Sequence, residues 1–177
     1  MNLQGQLLLA APSLGEGVFH RSVILLAAHS PGDGAFGLVL NHPTGRHIGD
    51  LLSDKAFAPL RNVPVHHGGP VEVEQLTFTA MWTDPSGELH WEARISADQA
   101  IERVKDPSIL VHAFVGHSGW SAGQLEGELR GASWIPARPH PNLIRLEHDL
   151  SLWAALLRQL SPYHQILAEA PSDPLQN

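Results

Sequence analysis

The run Gly116-His117-Ser118-Gly119-Trp120-Ser121-Ala122-Gly123-Gln124-Leu125-Glu126 gathers residue types that chemistry uses. An apolar run, Ile109 to Val115, precedes it and a helix-like pattern follows, so the predicted order is strand, glycine-rich turn, helix. Backbone N–H groups at such a helix start can hold an anion or a polar ligand. Glycines there also simply let the chain pack beside Trp120. The pattern is not Gly-x-Gly-x-x-Gly, and no Lys follows it as in a phosphate loop. Ser118 beside His117 suggests a nucleophile, but a hydrolase elbow needs glycine where Trp120 stands. His117 and Glu126 could serve as acid and base of a hydrolase-like enzyme. Glu126 and Glu128 are two apart on a helix and do not face each other, whereas Glu126 and Arg130 have surface-pair spacing.

Further polar candidates lie outside this run. Arg21 precedes the apolar stretch at 22–28 and needs an acidic partner or a cavity, with Glu126 or Glu128 as the expected partner. Asn41, in Asn41-His42-Pro43-Thr44, and the Gly68-Gly69 turn follow predicted strands, where open sheets of this class bind ligands. Twelve histidines are dispersed along the chain, at 20, 29, 42, 47, 66, 67, 90, 112, 117, 140, 148 and 164. None forms His-Glu-x-x-His, and no cysteine is present, so neither a metal nor another cofactor is expected.

The 177 residues suit one domain, and 43% hydrophobic content suits a packed core. The net charge of −7, with only 11 scattered Lys and Arg, argues against nucleic acid as a partner. The N-terminus lacks the pattern of a secretory signal, and no apolar run reaches membrane-spanning length, so a cytoplasmic location with no membrane contact is expected. Strands are predicted at 6–10, 22–28, 35–40, 63–66, 75–82, 88–94 and 109–115, with short ones at 133–135 and 143–146. A Ser-Pro-Gly-Asp-Gly turn pairs the second with the third. Residues 48–52 read as a helical turn, and 41–44 as a turn. Ser96 and Gln99 form a capping box for a helix that Pro107 ends. Helices also follow at 121–130 and after Asp149.

Five segments taken in order resemble the YqgE/AlgH family. They are Leu9-Ala10-Ala11-Pro12-Ser13-Leu14; Phe19-His20-Arg21-Ser22-Val23-Ile24-Leu25-Leu26 with His29; Gly34-Ala35-Phe36-Gly37-Leu38-Val39-Leu40-Asn41-His42-Pro43-Thr44; Gly68-Gly69-Pro70-Val71; and residues 116–126, with Trp134 behind. The family usually has Arg where His42 stands and Ala where Ser118 stands, and the latter argues against a required serine. The resemblance covers roughly residues 5–160. It implies an α/β (α+β mixed) single domain, a mixed β-sheet flanked by helices, and no established activity; some members are labelled transcriptional regulators.

The expectation is one domain over residues 1–165 with a disordered tail at 166–177. Its function is read as a non-enzymatic module that binds a small molecule or a protein partner, with an indirect regulatory role. The site is expected at Arg21, Asn41, Gly68, Gly69, His117, Gly119, Gln124 and Glu126. A hydrolase-like enzyme and a DNA-binding regulator are the alternatives. The convergence of these residues in space is what the reading requires.

Overall fold

The computed structural model describes residues 2–169. They form one mixed α/β domain: a curled nine-stranded sheet with five α-helices. The strands are β1 (Leu7–Ala10), β2 (Val23–Ser30), β3 (Gly34–Val39), β4 (Pro43–His47), β5 (Pro64–His67), β6 (Val71–Thr83), β7 (Leu89–Ile95), β8 (Leu110–Trp120) and β9 (Trp134–Ala137). Their order is β4-β5-β8-β3-β2-β1-β9, with β6 pairing both β7 and β8. The β5–β8 pair is parallel and the other pairs are antiparallel.

β2 is central because its sequence suits burial on both faces: Val23 to Leu26 have no exposed surface. The expected hairpin with β3 forms, in register Ile24↔Val39 and Leu25↔Leu38. Three apolar clusters follow from strand alternation. Leu8, Ala10, Ile24, Leu26 and Val39 face α3 (Gln124–Arg130) through Leu125, with Trp120 and Trp134 in the same cluster. Leu7, Leu9, Val23 and Leu25 face α4 (Ser151–Leu160), whose Trp153 donates its indole N–H to the carbonyl of Ala10 at 2.8 Å. Val65, Phe78, Val111 and Ala113 pack with Ile48 of α1 (Ile48–Leu51) and Ala100 of α2 (Ala97–Arg103). The Ser96–Gln99 capping box forms as the sequence predicts.

Several elements differ from expectation. β8 does not stop at Val115 but runs on to Trp120, pairing Gly37↔Ser118 and Ala35↔Trp120 with β3. Residues 43–47 form the exposed strand β4, which reads as a turn because its pattern carries no apolar alternation. Leu143–Arg145 is a 3-10 turn, not a strand. A fifth helix, α5 (Pro162–Glu169), opens on a proline, whose missing N–H is harmless at that position. It buries Ala168, so residues 166–169 of the expected tail belong to it; the remainder lies outside the described residues. Among the described residues, no helix is long and apolar enough to cross a membrane.

Candidate functional site

The glycines of the 116–126 run serve a crossing of backbones. Gly69 has φ +148°, and a Cβ on it would lie 2.3 Å from the backbone carbonyl of His117. Gly116 has φ +71°, and its own Cβ would lie 2.4 Å from the carbonyl oxygen of Gly69. Only glycine permits both the left-handed turn at 116 and this approach. Ser118, on the strand beyond the crossing, has no exposed surface and donates its hydroxyl to the carbonyl of Gly68 at 3.1 Å. It has neither access nor a base.

The turn itself is short, Ser121 to Gly123, and it leads into a helix of only seven residues. Its polar groups are taken. Gln124 Oε1 accepts from the N–H of Ser121 at 3.0 Å, and its amide donates to Glu128 Oε1 at 2.9 Å. Glu128 Oε2 accepts from two indole N–H groups, Trp120 at 2.8 Å and Trp134 at 2.7 Å. Burial raises the Glu128 pKa, but these donors outweigh it and the net direction is down. Glu126 Oε1 lies 2.9 Å from Nε2 of buried His29, whose Nδ1 accepts the N–H of Leu3 at 3.0 Å. Hydrogen bonds from its own backbone N–H and from His29 hold the Glu126 carboxyl below its ordinary pKa. The spacing of Glu126 and Arg130 predicted a surface pair; the carboxylate turns to His29 instead.

Arg21 and Asn41 stand at the other end of β2. Asn41 has no exposed surface; its Oδ1 accepts the N–H of Val23 at 2.8 Å and its amide donates to the carbonyl of Arg21 at 2.8 Å. That clamp holds Arg21 in a left-handed conformation, φ +48°. The guanidinium stacks over Trp153, 5.1 Å from the ring centroid, and the carboxylates expected as its partners are engaged by His29 and by the two indoles. From Arg21 to His29 the chain is extended for eight residues, about 25 Å. The eight predicted residues therefore do not share one pocket. Arg21 and Asn41 form one group, Gln124 and Glu126 a second, and Gly68, Gly69, His117 and Gly119 a third.

The third group adjoins a set of accessible side chains. His117 packs against Phe36, with ring centroids 5.0 Å apart, and its Nδ1 lies 3.5 Å from Glu72. Arg94 lies over the Phe36 ring at 4.1 Å and reaches Glu72 at 4.0 Å. Glu72 and Arg94 are half-exposed, and both have positive φ, +52° and +57°. Exposed Val71 and Val73 flank Glu72 where β6 bulges away from β8. Desolvation, then the nearby Arg94 cation, lowers the His117 pKa, while Glu72 opposes them. The sequence gave no hint of Glu72 or Arg94, because the β6 bulge and the β6–β7 pairing that bring them together are long-range.

His117 and Glu126 have different partners and make no catalytic pair. Among the described residues, Asp84, Glu88 and His90 have donor atoms within 4.8 Å of one another. They close the β6–β7 turn, where Asp84 accepts from Ser86, Glu88 and His90, which holds its pKa below the carboxylate range.

Comparison with known proteins agrees with this architecture. The profile of the AlgH-like family matches residues 7–164. The UPF0301 protein SCO2948 of Streptomyces coelicolor is 34% identical over 99% of this chain and 96% of its own length. A UPF0301 protein of Cereibacter sphaeroides, Rsph17029_2659, is 32% identical over 90% of this chain and 92% of its own. The crystal structure of DIP2367 from Corynebacterium diphtheriae superposes with a TM-score of 0.74 at 21% identity, covering 95% of this chain and 92% of that one. The solution structure of AlgH from Pseudomonas aeruginosa gives a TM-score of 0.67 at 25% identity, covering 97% and 96%. Five ordered motifs, a profile match over most of the length and the shared fold give one conclusion: the chain belongs to the AlgH-like family.

Proposed function

We propose that the chain is a non-enzymatic binding module that recognises a polar ligand or a protein segment over Glu72, Arg94, His117 and Phe36. The observation that carries this is the pair of left-handed, non-glycine residues, Glu72 and Arg94, holding opposite charges over an aromatic ring. Such a backbone costs roughly 1–2 kcal/mol per residue, and strain of this kind gathers at binding sites. The exposed valines at 71 and 73 give a partner apolar area beside the charges. The buried, hydrogen-bonded Ser118 and the separate engagements of His117 and Glu126 weigh against the hydrolase alternative. The charge of −7 weighs against direct DNA binding, so a regulatory role would run through the bound partner. A cytoplasmic location goes with this reading.

The test is a thermal-shift screen of charged metabolites and peptides against the wild type, Arg94→Gly and Glu72→Gly. Glycine removes each side chain and relaxes its backbone, so neither variant loses stability. A ligand at one hundred times its Kd raises the wild-type Tm by roughly 5–10 °C. Loss of that shift in both variants supports the site. Hits that stabilise all three proteins equally refute it.

A further inference from the structure

The segment Leu143–Asp149 connects β9 to α4 and lies over the sheet as a strap. Histidines fasten it. His66 on β5, His112 on β8 and His148 on the strap are 2%, 4% and 8% exposed. The rings of His66 and His112 stack at 4.6 Å, and His148 meets His112 edge-on at 5.0 Å. His66 donates from Nε2 to the carbonyl of His148, and His148 from Nε2 to the carbonyl of Leu143, each at 2.9 Å. A carbonyl can only accept, so the ring proton of both sits on Nε2.

The Nδ1 atoms of all three rings are buried without a hydrogen-bond partner. A second proton on any of these rings would therefore put an unpaired charge among imidazoles. The titratable groups around the cluster are His42 and His67 on the His66 side, and Glu147 and Asp149 on the strap. Asp149 is occupied by the N–H and hydroxyl of Ser151. Burial lowers the pKa of all three histidines; their neighbours lower it further at His66 and His112, and Glu147 opposes at His148. His42 is lowered by burial too. A cavity of about 310 Å³, walled in part by Pro43, Pro64, Leu110 and Leu146, adjoins the rings, so water reaches them once the strap moves.

We infer that His66, His112 and His148 form an acid-sensitive latch: near neutral pH they hold the strap on the sheet, and below about pH 6 the strap lifts and loosens the seat of α4 while the strands stay paired. In the lifted state each ring titrates near 6.5, whereas in the closed state it resists protonation. Opening is thus opposed above about 6.5 and increasingly favoured as the pH falls below it. Between pH 7.5 and 5.5 the opening constant rises about tenfold if one histidine takes up a proton and about a thousandfold if all three do.

Amide hydrogen exchange on the full chain at these two pH values, corrected for the intrinsic pH dependence of exchange, tests the inference. Amides of residues 143–152 are expected to open more at pH 5.5 by a factor in that range, while amides of residues 23–26 keep their protection. His112→Phe retains a stacked ring without a titratable nitrogen and should cut the increase by about tenfold; exposed His47→Gln should leave it intact. If His112→Phe does not fold, ring-proton NMR of the wild type decides. Imidazoles that protonate near pH 6.5 with the strap still protected overturn the latch. A pH-independent opening, or equal loss of protection in the strap and in β2, overturns it as well.

Discussion

Replacing Glu128 by Gln tests whether one carboxylate ties the 116–134 region together. The wild-type group accepts three N–H donors: two indoles on Oε2 and the Gln124 amide on Oε1. A glutamine has one acceptor oxygen and one donor amide. If its oxygen faces Trp120 and Trp134, its amide faces that of Gln124. Gln124 cannot turn over without dropping the Ser121 N–H that its oxygen accepts at 3.0 Å. If it is reversed, both indoles face an amide. At least one bond is lost, and the two survivors lose their charge assistance. At about 1.5–3 kcal/mol for a bond to a charged group and about 1 for a neutral one, the total is roughly 2–4 kcal/mol. For a chain of this length that lowers the Tm by roughly 5–15 °C.

The effect has a pH signature. The folded carboxyl lies below its ordinary pKa, because the donors outweigh the burial that opposes them. Its stabilisation is therefore complete above the unfolded value, about 4.3, and is lost as the pH falls through the lower folded value. The amide does not titrate, so the gap between wild type and Glu128→Gln should narrow in acid. Calorimetry at pH 7 and at pH 3, with far-UV circular dichroism to verify folding, reads both quantities. A fall in Tm of less than 2 °C at neutral pH, or a gap that does not narrow in acid, would refute the reasoning.

Two other substitutions probe the same region. Gly69→Ala drives a Cβ into the His117 backbone at 2.3 Å and should cost about 3 kcal/mol or more or prevent folding, measured by urea unfolding or soluble yield. Ser118→Ala removes one buried hydroxyl bond and should cost about 1 kcal/mol, and fluorophosphonate should not label wild-type Ser118, since its hydroxyl is buried against Gly68.

The sequence announced those parts of the fold whose signal is local. Ser22 to Ala28 reads as a strand because every side chain is apolar or small, and it forms the middle of the sheet. The capping box at Ser96 reads correctly because both its members lie within one turn. The run at 116–123 misleads because glycines usually mark a turn. Here Gly116 is demanded by a backbone from a distant segment, and the strand continues past it. The partners of the polar motif residues were not legible for the same reason: Glu126 reaches His29 across 97 positions and His66 reaches His148 across 82. Chemistry seemed to call for one shared pocket, but packing distributes Arg21, Gln124 and His117 among separate structural tasks.

β8 gives the architecture a consequence for biosynthesis. Its first half, Leu110 to Val115, joins β5 and β6, and its last three residues join β3. Each group of strands thus waits for the same late-arriving staple. A nascent chain interrupted before position 110 holds β2–β3 and β6–β7 as separate hairpins with unsatisfied edges, open to pairing with other chains. Splitting the gene between those hairpins should give two insoluble fragments, not two half-proteins, because neither piece carries a complete sheet without that shared spine.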